Sequence, residues 1–301
     1  MFVTESGRRC LNASCRLLGY TRQAFYKQKL RIERKAISAE LILQEVVKIR
    51  SEQRRIGVRK LHHMIAAFIY EHSVEMGRDA LYELLRDHSM LIRRRRRTGP
   101  RTTYSAFWRE RYPNLTKDFE PVGSNQLWVS DITYIRVKEG FAYLSLVTDA
   151  YSRKIVGFHL NGNLSAKGPA SALRMALRNN PDRDNLIHHS DRGLQYYSSE
   201  YMKLIGDKIR ISMTEKSDPL ENAIAERVNG ILKQELLAKR YKSFSEATRE
   251  VAKAVNTYNH LRPHLSIDML TPNEAHARNG HLQRRWKNYF SANSFHSQAM
   301  A

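Results

Sequence analysis

Cysteine is nearly absent from this 301-residue sequence, which has only Cys10 and Cys15, both near the N-terminus. Two cysteines exclude a disulfide framework, and without a CxxC pair or a nearby histidine the spacing resembles no standard zinc site. No stretch approaches the run of about 18 uncharged apolar residues that a membrane helix needs. The N-terminus also lacks the apolar core of a signal peptide. We therefore expect a cytoplasmic protein.

Acidic residues are scarce relative to basic ones, with 30 Asp and Glu against 51 Lys and Arg and a net charge of +21. Residues 1–101 carry 23 basic and 10 acidic residues, whereas residues 102–301 carry 28 and 20. A basic N-terminal third indicates a polyanionic partner, usually a phosphate backbone, and hence a nucleoid-associated location. The alternative is a surplus that serves only solubility. Hydrophobic residues make up 42% of the chain, enough for a packed core.

Residues 11–32 have the pattern of a helix-turn-helix: an apolar stretch, a turn at Gly19, and a second helix that Thr21 can cap and that carries Phe25. The alternative is an ordinary helical hairpin. The second helix would expose side chains that suit phosphates and base edges, namely Arg22, Gln23, Tyr26 and Lys27.

A second helix-turn-helix is predicted further along. Residues 58–70 and 77–88 each place apolar residues on one helical face, and we interpret these faces as core. The apolar positions are Leu61, Met64, Ile65, Phe68, Ile69, Ala80, Leu81, Leu84 and Leu85. The outer face of the second of these helices carries Arg78, Tyr82 and Arg86, which we predict to contact DNA.

Five consecutive arginines follow: Arg93, Arg94, Arg95, Arg96 and Arg97. Such a run cannot be packed, because its charges repel one another and need water or counter-ions. We interpret it as a linker that lies along phosphates, with a plain solvated linker as the alternative.

From about residue 121 the sequence alternates between strand and helix patterns. Strands are predicted at 126–137, 142–149, 154–160, 185–189 and near Ile211, and helices at about 165–178 (capped by Ser165), 199–206, 221–239 and 245–260. Three antiparallel strands followed by strands alternating with helices predict an α/β fold, a mixed sheet with helices on its faces. This order resembles the ribonuclease-H-like fold.

Three acidic residues occupy positions that structure alone does not explain. Asp131 lies within a predicted strand, where aspartate is disfavoured. Asp191 directly follows the fourth strand, at the sheet edge where open α/β sheets place their sites. Glu226 lies on the helix that returns over the sheet. The first and fourth strands are neighbours in this topology, so the three carboxylates can converge. Carboxylate oxygens are the ligands of hard divalent ions, and two such ions can drive phosphoryl transfer.

Four segments together resemble the integrase core of insertion-sequence transposases, and in particular the OrfB product of family three in the insertion-sequence nomenclature. They are NQLWVSDITYI, LIHHSDRGLQYYS, SMTEKSDPLENAIAERVNGILKQE and YNHLRPHLSIDMLTPNEA. The resemblance covers nearly the whole chain, since CRLLGYTRQAFYK and RRIGVRKLHHMI are similar to the helical DNA-binding segments of that family.

The resemblance implies that Asp131, Asp191 and Glu226 are the catalytic and metal-binding residues. Asp131 would bridge two Mg²⁺ ions, for which Mn²⁺ can substitute, while Asp191 and Glu226 would each hold one. The family usually has 35 residues between its second and third acids, and an aspartate just before Asn-Ala. Here 34 residues separate Asp191 from Glu226, and Glu221 takes the place of that aspartate. Five residues on a helix turn Glu221 about 140° away from Glu226, so only one of them can face the site, and we choose Glu226.

Other residues have competing interpretations. Lys233 lies two helical turns beyond Glu226, and either contacts the bound DNA end or is an ordinary surface lysine. Arg262 belongs to the terminal Arg-Pro-His motif, and either meets phosphate or locks the last helix. A catalytic role for His188 or His189 is the less favoured alternative. Trp128 and Thr133 are expected to shape the sheet around Asp131, with Trp128 in the core.

By resemblance, the chain would catalyse 3′-end cleavage and strand transfer of a mobile element, as a homo-oligomer on DNA, with an OrfA segment as partner or fusion. Two rival hypotheses are a nuclease of the same fold that only hydrolyses DNA and a catalytically inactive DNA-binding regulator. The expected domains are two helix-turn-helix-like segments, a basic linker, the integrase core and a basic tail, at residues 1–50, 51–98, 99–120, 121–282 and 283–301.

Overall fold

The computed structural model describes residues 5–92, 112–117, 119–181, 185–215 and 219–285. The chain forms two compact units, one of residues 1–51 and 57–92 and the other of residues 52–56 and 93–301. The arginine run from Arg93 to Arg97 and most of the expected linker and tail lie outside the described residues. Within the described ranges, no helix is long and apolar enough to cross a membrane.

The first unit is helical throughout. Its helices are α1 (Glu5–Leu17), α2 (Arg22–Glu52), α3 (Val58–Met64), α4 (Ala66–Glu71) and α5 (Arg78–Asp87). Gly19 turns the chain between α1 and α2 with a φ of +72°, a left-handed conformation that favours glycine. Thr21 then caps α2, because its Oγ1 accepts a hydrogen bond of 3.1 Å from the Ala24 backbone N–H. The predicted helix, glycine turn and capped helix are confirmed.

The packing of this unit differs from the prediction in its first part. Leu61, Ile65, Leu81 and Leu85 are fully buried, as their spacing predicts. In the apolar stretch before Gly19, Cys15 is buried, but Leu17 is 88% exposed. Three other apolar residues of the predicted helices are also exposed, namely Leu18, Phe25 and Ala80.

The second unit is built on a five-stranded sheet. Its strands are β1 (Leu127–Val137), β2 (Gly140–Asp149), β3 (Ile155–Asn161), β4 (Ile187–Ser190) and β5 (Arg210–Met213). Their order is β3-β2-β1-β4-β5, with β1, β2 and β3 antiparallel and β4 and β5 parallel to β1. The prediction of a mixed, ribonuclease-H-like sheet is confirmed, and β1 and β4 are neighbours.

Helices cover both faces of this sheet, and alternate residues of β1 point to opposite faces. The helices are α6 (Lys167–Asn179), α7 (Ser199–Ile205), α8 (Ala223–Ile231), α9 (Phe244–His260) and α10 (Pro272–His276). One core contains Ile135 of β1 with Val228 of α8 and residues of α9. The opposite core contains Trp128 of β1 with residues of α6 and α7. The second of these cores depends on Gly157 of β3, because a Cβ there would lie 2.1 Å from a backbone oxygen of α6.

Two predicted helix boundaries are wrong. Ser165 does not cap α6: Ala166 occupies the cap position without a side-chain bond, while Ser165 Oγ accepts from Asn161 Nδ2 at 3.1 Å. The long helix predicted from 221 to 239 is divided into a 3-10 turn at Pro219–Asn222, α8, and a π-helical turn at Leu232–Leu236. The π turn matters for the site, since it displaces the helix register after Ile231.

Candidate active site

The parallel pairing of β1 with β4 brings two of the predicted carboxylates to one edge of the sheet. Ser130 pairs with Ser190 at the end of β4, so Asp131 and Asp191 are each one residue further along neighbouring strands. Both are partly buried. The sequence predicts that these two residues converge because β1 and β4 are neighbours, and the structure contains this pairing.

Asp131 is held by two hydrogen bonds and repelled by two charges. Its Oδ1 accepts from the Ile132 backbone N–H at 2.8 Å, and its Oδ2 accepts from Asn229 Nδ2 at 2.7 Å. Burial raises the pKa of the Asp131 carboxyl to about 7, aided by the negative charge of Asp191 and, less strongly, of Glu226, while the hydrogen bonds lower it. Asp131 therefore feels the charges of both other predicted catalytic residues.

Asp191 lies in a turn that begins where β4 ends. Its Oδ1 accepts from the Gly193 backbone N–H at 3.0 Å, and burial raises the pKa of its carboxyl. Glu226 is exposed on the first turn of α8. Two partly buried carboxyls and one exposed carboxyl thus share a region of like charge.

A polar stripe along α8 faces β1. It consists of Glu226 and Asn229, three residues apart on α8, with Asn222 in the 3-10 turn before the helix and Lys233 in the π-helical turn after it. Asn222 Nδ2 donates to the Ser130 carbonyl at 3.0 Å, and Lys233 Nζ donates to Thr133 Oγ1 at 2.8 Å. Sequence reasoning identified Glu226 and Lys233 but missed both asparagines. Their helical spacing from Glu226 was a signal that could have found them.

Glu221, the rival to Glu226, has a different environment. Its charge raises the pKa of His189, against the larger lowering that burial causes. Glu221 and His189 line the same cavity. Glu226, in contrast, is among the charges that raise the pKa of Asp131. The choice of Glu226 thus agrees with the electrostatics of this site.

The two histidines before Asp191 are buried parts of the sheet. His188 Nε2 bonds to Ser130 Oγ at 2.9 Å and to Tyr201 OH at 2.8 Å, and burial lowers the His188 pKa to about 3. His189 Nδ1 bonds to Ser212 Oγ at 2.8 Å, and burial lowers its pKa as well. Both imidazoles are neutral at pH 7 and are engaged in hydrogen bonds that tie β4 to its surroundings. Trp128 is also fully buried, as predicted.

Arg262 is wrong as a predicted DNA contact, because its side chain is only 1% exposed. Its Nε and Nη2 donate to the two carboxylate oxygens of Glu235 at 2.9 and 2.8 Å, and its Nη1 lies 3.0 Å from a ring nitrogen of His264. The guanidinium therefore joins the π-helical turn to the segment after α9. These contacts agree with the alternative interpretation, in which Arg262 locks the helix predicted at 245–260, now α9.

The predicted DNA contacts of the first unit lie on its surface. Arg22 and Lys27 are exposed on α2, and Arg78 and Arg86 on α5. Arg78 pairs with Asp79, and Arg86 pairs with Glu83 and Asp87, all along α5 itself. Exposed pairs of this kind are weak, so they leave the cations able to meet a phosphate.

No group of three His, Cys, Asp or Glu side chains within the described part of the chain is close enough to hold a metal ion as it stands. The charges of Asp191 and Glu226 raise the pKa of Asp131, but the three carboxylates are not gathered around a common point. Their chemistry still fits a hard divalent cation, because carboxylate oxygens are its preferred ligands and a cation would offset their repulsion.

Residues 121–219 and 207–272 match two families described as integrase core domain. The chain is 31% identical over 266 residues to the insertion element IS600 uncharacterized 31 kDa protein of Shigella sonnei, covering 86% of this chain and 95% of that protein. It is 29% identical over 244 residues to the transposase for insertion sequence element IS904 of Lactococcus lactis, covering 75% and 96%. The magnesium-bound catalytic core of HTLV-2 integrase is 19% identical, with a TM-score of 0.41, over 52% of this chain and 99% of that one.

The fold and the family matches define an integrase-type polynucleotidyl transferase. More narrowly, the chain belongs to the IS3 family of insertion-sequence transposases and acts in DNA transposition.

Proposed function

We propose that this transposase cuts the 3′ ends of its element and joins them to other DNA, at a single site formed by Asp131, Asp191 and Glu226. One observation carries the proposal. The pairing of Ser130 with Ser190 places Asp131 and Asp191 side by side at one edge of the sheet, and burial and the charges of Asp191 and Glu226 raise the pKa of Asp131. Acids kept together at such a cost are typical of functional sites rather than of surfaces.

The same carboxylates suit two Mg²⁺ ions, for which Mn²⁺ can substitute. Asp131, Asp191 and Glu226 are the residues that would hold these ions. When bound, the ions activate the attacking oxygen and stabilise the leaving oxygen of the phosphodiester. Their positive charge also offsets the repulsion around Asp131, which favours the ionised carboxylate that a ligand requires.

The reaction has two displacements at phosphorus. In the first, a water oxygen forms a bond to phosphorus, the bond to the 3′ oxygen breaks, and that oxygen leaves as a 3′-OH after taking a proton. In the second, this 3′-OH gives up its proton and attacks a new phosphodiester, whose own 3′ oxygen leaves. Lys233, close to Asp131 through its bond to Thr133, supplies a positive charge beside the site for the phosphates of the DNA end.

DNA is the proposed partner, both as the element's ends and as the target. Two ends must be joined in one event, so a homo-oligomer on DNA is expected, with an OrfA segment supplying recognition of the terminal repeats. The exposed cations of α2 and α5 are the proposed contacts of the first unit, with Arg93 to Arg97 as a further segment along the phosphates.

A strand-transfer assay tests this proposal. Labelled element-end DNA is incubated with Mg²⁺ or Mn²⁺ and the native chain, Glu226→Gln or Glu221→Gln. Glu221→Gln is the matched control, since it removes the same charge five residues earlier. We expect joined product from the native chain and from Glu221→Gln. Glu226→Gln should lose at least about 100-fold, because the enzyme would lack one metal-holding carboxylate.

The other outcomes separate the rivals. If Glu221→Gln loses joining and Glu226→Gln retains it, the assignment of the third acid is reversed. Cleaved ends without any joined product indicate a nuclease that only hydrolyses. Binding without cleavage, even after OrfA is added, indicates a regulator and contradicts the proposal.

A further inference from the structure

Asn229 is the one neutral side chain of the α8 stripe that touches a predicted catalytic acid. It lies three residues after Glu226 and is 5% exposed. Its Nδ2 donates to Asp131 Oδ2 at 2.7 Å. The ionised carboxylate that a cation requires can only accept hydrogen bonds, so for that form the amide must present its NH₂ group to Asp131.

The Asp131 carboxylate is therefore held from two directions. The strand holds Oδ1 through the Ile132 backbone N–H, and α8 holds Oδ2 through Asn229. Two such bonds fix the plane of the carboxylate, which a single bond would leave free to rotate. Each oxygen still has lone-pair capacity for a further partner.

We infer that Asn229 is a positioning residue that holds the Asp131 carboxylate in the orientation in which it takes a divalent cation. This inference rests on the proposed function, in which Asp131 would be a metal ligand. Hydrogen bonds to a ligating carboxylate orient it, and loss of such a bond typically weakens metal affinity about 10- to 100-fold.

The other end of the amide is open to a further partner. Asn229 Oδ1 is buried and has no hydrogen-bond partner among the side chains and backbone that the structure describes. Burying an acceptor in this way is costly unless a donor arrives with a ligand. A water molecule brought in by a hydrated cation is a donor of the required kind.

Asn222 offers a matched control in the same polar stripe. It is 7% exposed, its Nδ2 also donates to β1, and its Oδ1 is likewise buried without a partner in the described ranges. Its acceptor, however, is the Ser130 backbone carbonyl rather than a carboxylate. Loss of Asn222 removes an anchor of α8 and leaves both hydrogen bonds of Asp131 in place.

The experiment measures Mn²⁺ binding to the full-length chain, without DNA, by the electron paramagnetic resonance signal of the free ion. The proteins are the native chain, Asp131→Asn, Asn229→Leu and Asn222→Leu, each first checked for its melting temperature. We expect Asn229→Leu to bind Mn²⁺ about 10- to 100-fold more weakly than the native chain. Asn222→Leu should stay within about 3-fold of native affinity, because its hydrogen bond does not touch a ligand. If Asn229→Leu does not fold, Asn229→Ser replaces it, since that side chain is too short to reach Asp131, and the same loss is expected.

Two results would overturn the inference: native affinity in Asn229→Leu, or an equal loss in Asn229→Leu and Asn222→Leu, which would assign the effect to anchoring of the helix. Failure of the proposed function has a different outcome, namely Mn²⁺ binding that is unaffected by Asp131→Asn. The two failures are thus separated within one set of titrations.

Discussion

At the scale of single residues, Asp131 has two opposing properties. Its ionised form is the one that binds a cation, but the same form lowers the stability of the metal-free protein. Its pKa is about 7 in the folded chain, against 3.8 for an unperturbed aspartate. The folded state thus binds this proton more tightly than the unfolded state does. The stability that results is complete below pH 4 and is lost as the pH rises through about 7. Asp191 acts in the same direction, because burial raises its pKa too.

Asp131→Asn should therefore stabilise the metal-free protein at high pH. Asparagine keeps the shape of the side chain and cannot acquire the charge that burial and Asp191 oppose. In EDTA at pH 8 we expect the melting temperature of Asp131→Asn to exceed that of the native chain by at least about 2 °C. At pH 4 the gain should disappear, because the native Asp131 is then protonated. Equal melting temperatures at pH 8 would contradict the raised pKa.

The residues of the site differ in how far the sequence reveals them. Asp131 is conspicuous because an acid within a β-branched strand has no ordinary structural use. Asn229 is not, since asparagine on a helix is unremarkable until its partner across the fold is known. Arg262 shows the opposite error. An arginine in a basic protein suggests phosphate, and only the structure places Glu235 beside it.

At the scale of elements, the π-helical turn at Leu232–Leu236 has to be joined to the rest of the second unit. Glu235, within this turn, forms a bidentate pair with the buried guanidinium of Arg262, which follows α9. Bidentate geometry of this kind matches arginine and not lysine. The pair therefore fixes the end of the α8 segment that carries Glu226 and Lys233.

Arg262→Met should destabilise the second unit strongly, because it removes both charge-assisted hydrogen bonds that Glu235 accepts from the buried guanidinium. We expect a loss of about 3 kcal/mol in the free energy of unfolding, the lower end of the range for breaking a buried pair, since Glu235 is partly exposed. Urea unfolding followed by tryptophan fluorescence, to which the buried Trp128 contributes, measures the change.

Arg174→Met is the control for that measurement. Arg174 pairs with Glu200 at 3.0 Å, but both side chains are about half exposed, so its removal should cost less than about 1 kcal/mol. Similar losses in the two variants would show that Arg262 is not the structural lock described here.

Elements were predicted well where a pattern extends over many residues, as in β1 and α9. Boundaries were predicted less well where tertiary contacts decide them. The predicted helix from 221 to 239 has a continuous apolar pattern, yet it is divided into three segments. The sequence alone does not show the bonds of Asn222, Lys233 and Glu235 that accompany this division.

At the scale of the whole molecule, the predicted catalytic acids and the exposed cationic surface of α2 lie in different units. The predicted catalytic acids lie in the second unit. The N-terminal part of α2, from 22 to 37, contains six basic residues and one acidic residue. Every residue in this range is exposed. With one acidic residue in this range, few of these cations can pair along the helix. We therefore expect this surface to bind the phosphates of DNA.

Combined substitution of Arg22→Gln and Lys27→Gln should therefore weaken DNA binding and make it less sensitive to salt. Each phosphate contact contributes about 0.9 to the slope of log affinity against log salt, so losing two should flatten the slope by about 2. Fluorescence anisotropy with labelled element-end DNA at several salt concentrations measures both quantities. Gln28→Ala, an exposed and uncharged position on the same helix, is the control and should leave the slope unchanged. An unaltered slope in the double variant would exclude these two cations from the DNA interface and leave the other basic residues of the N-terminal third to supply the phosphate contacts.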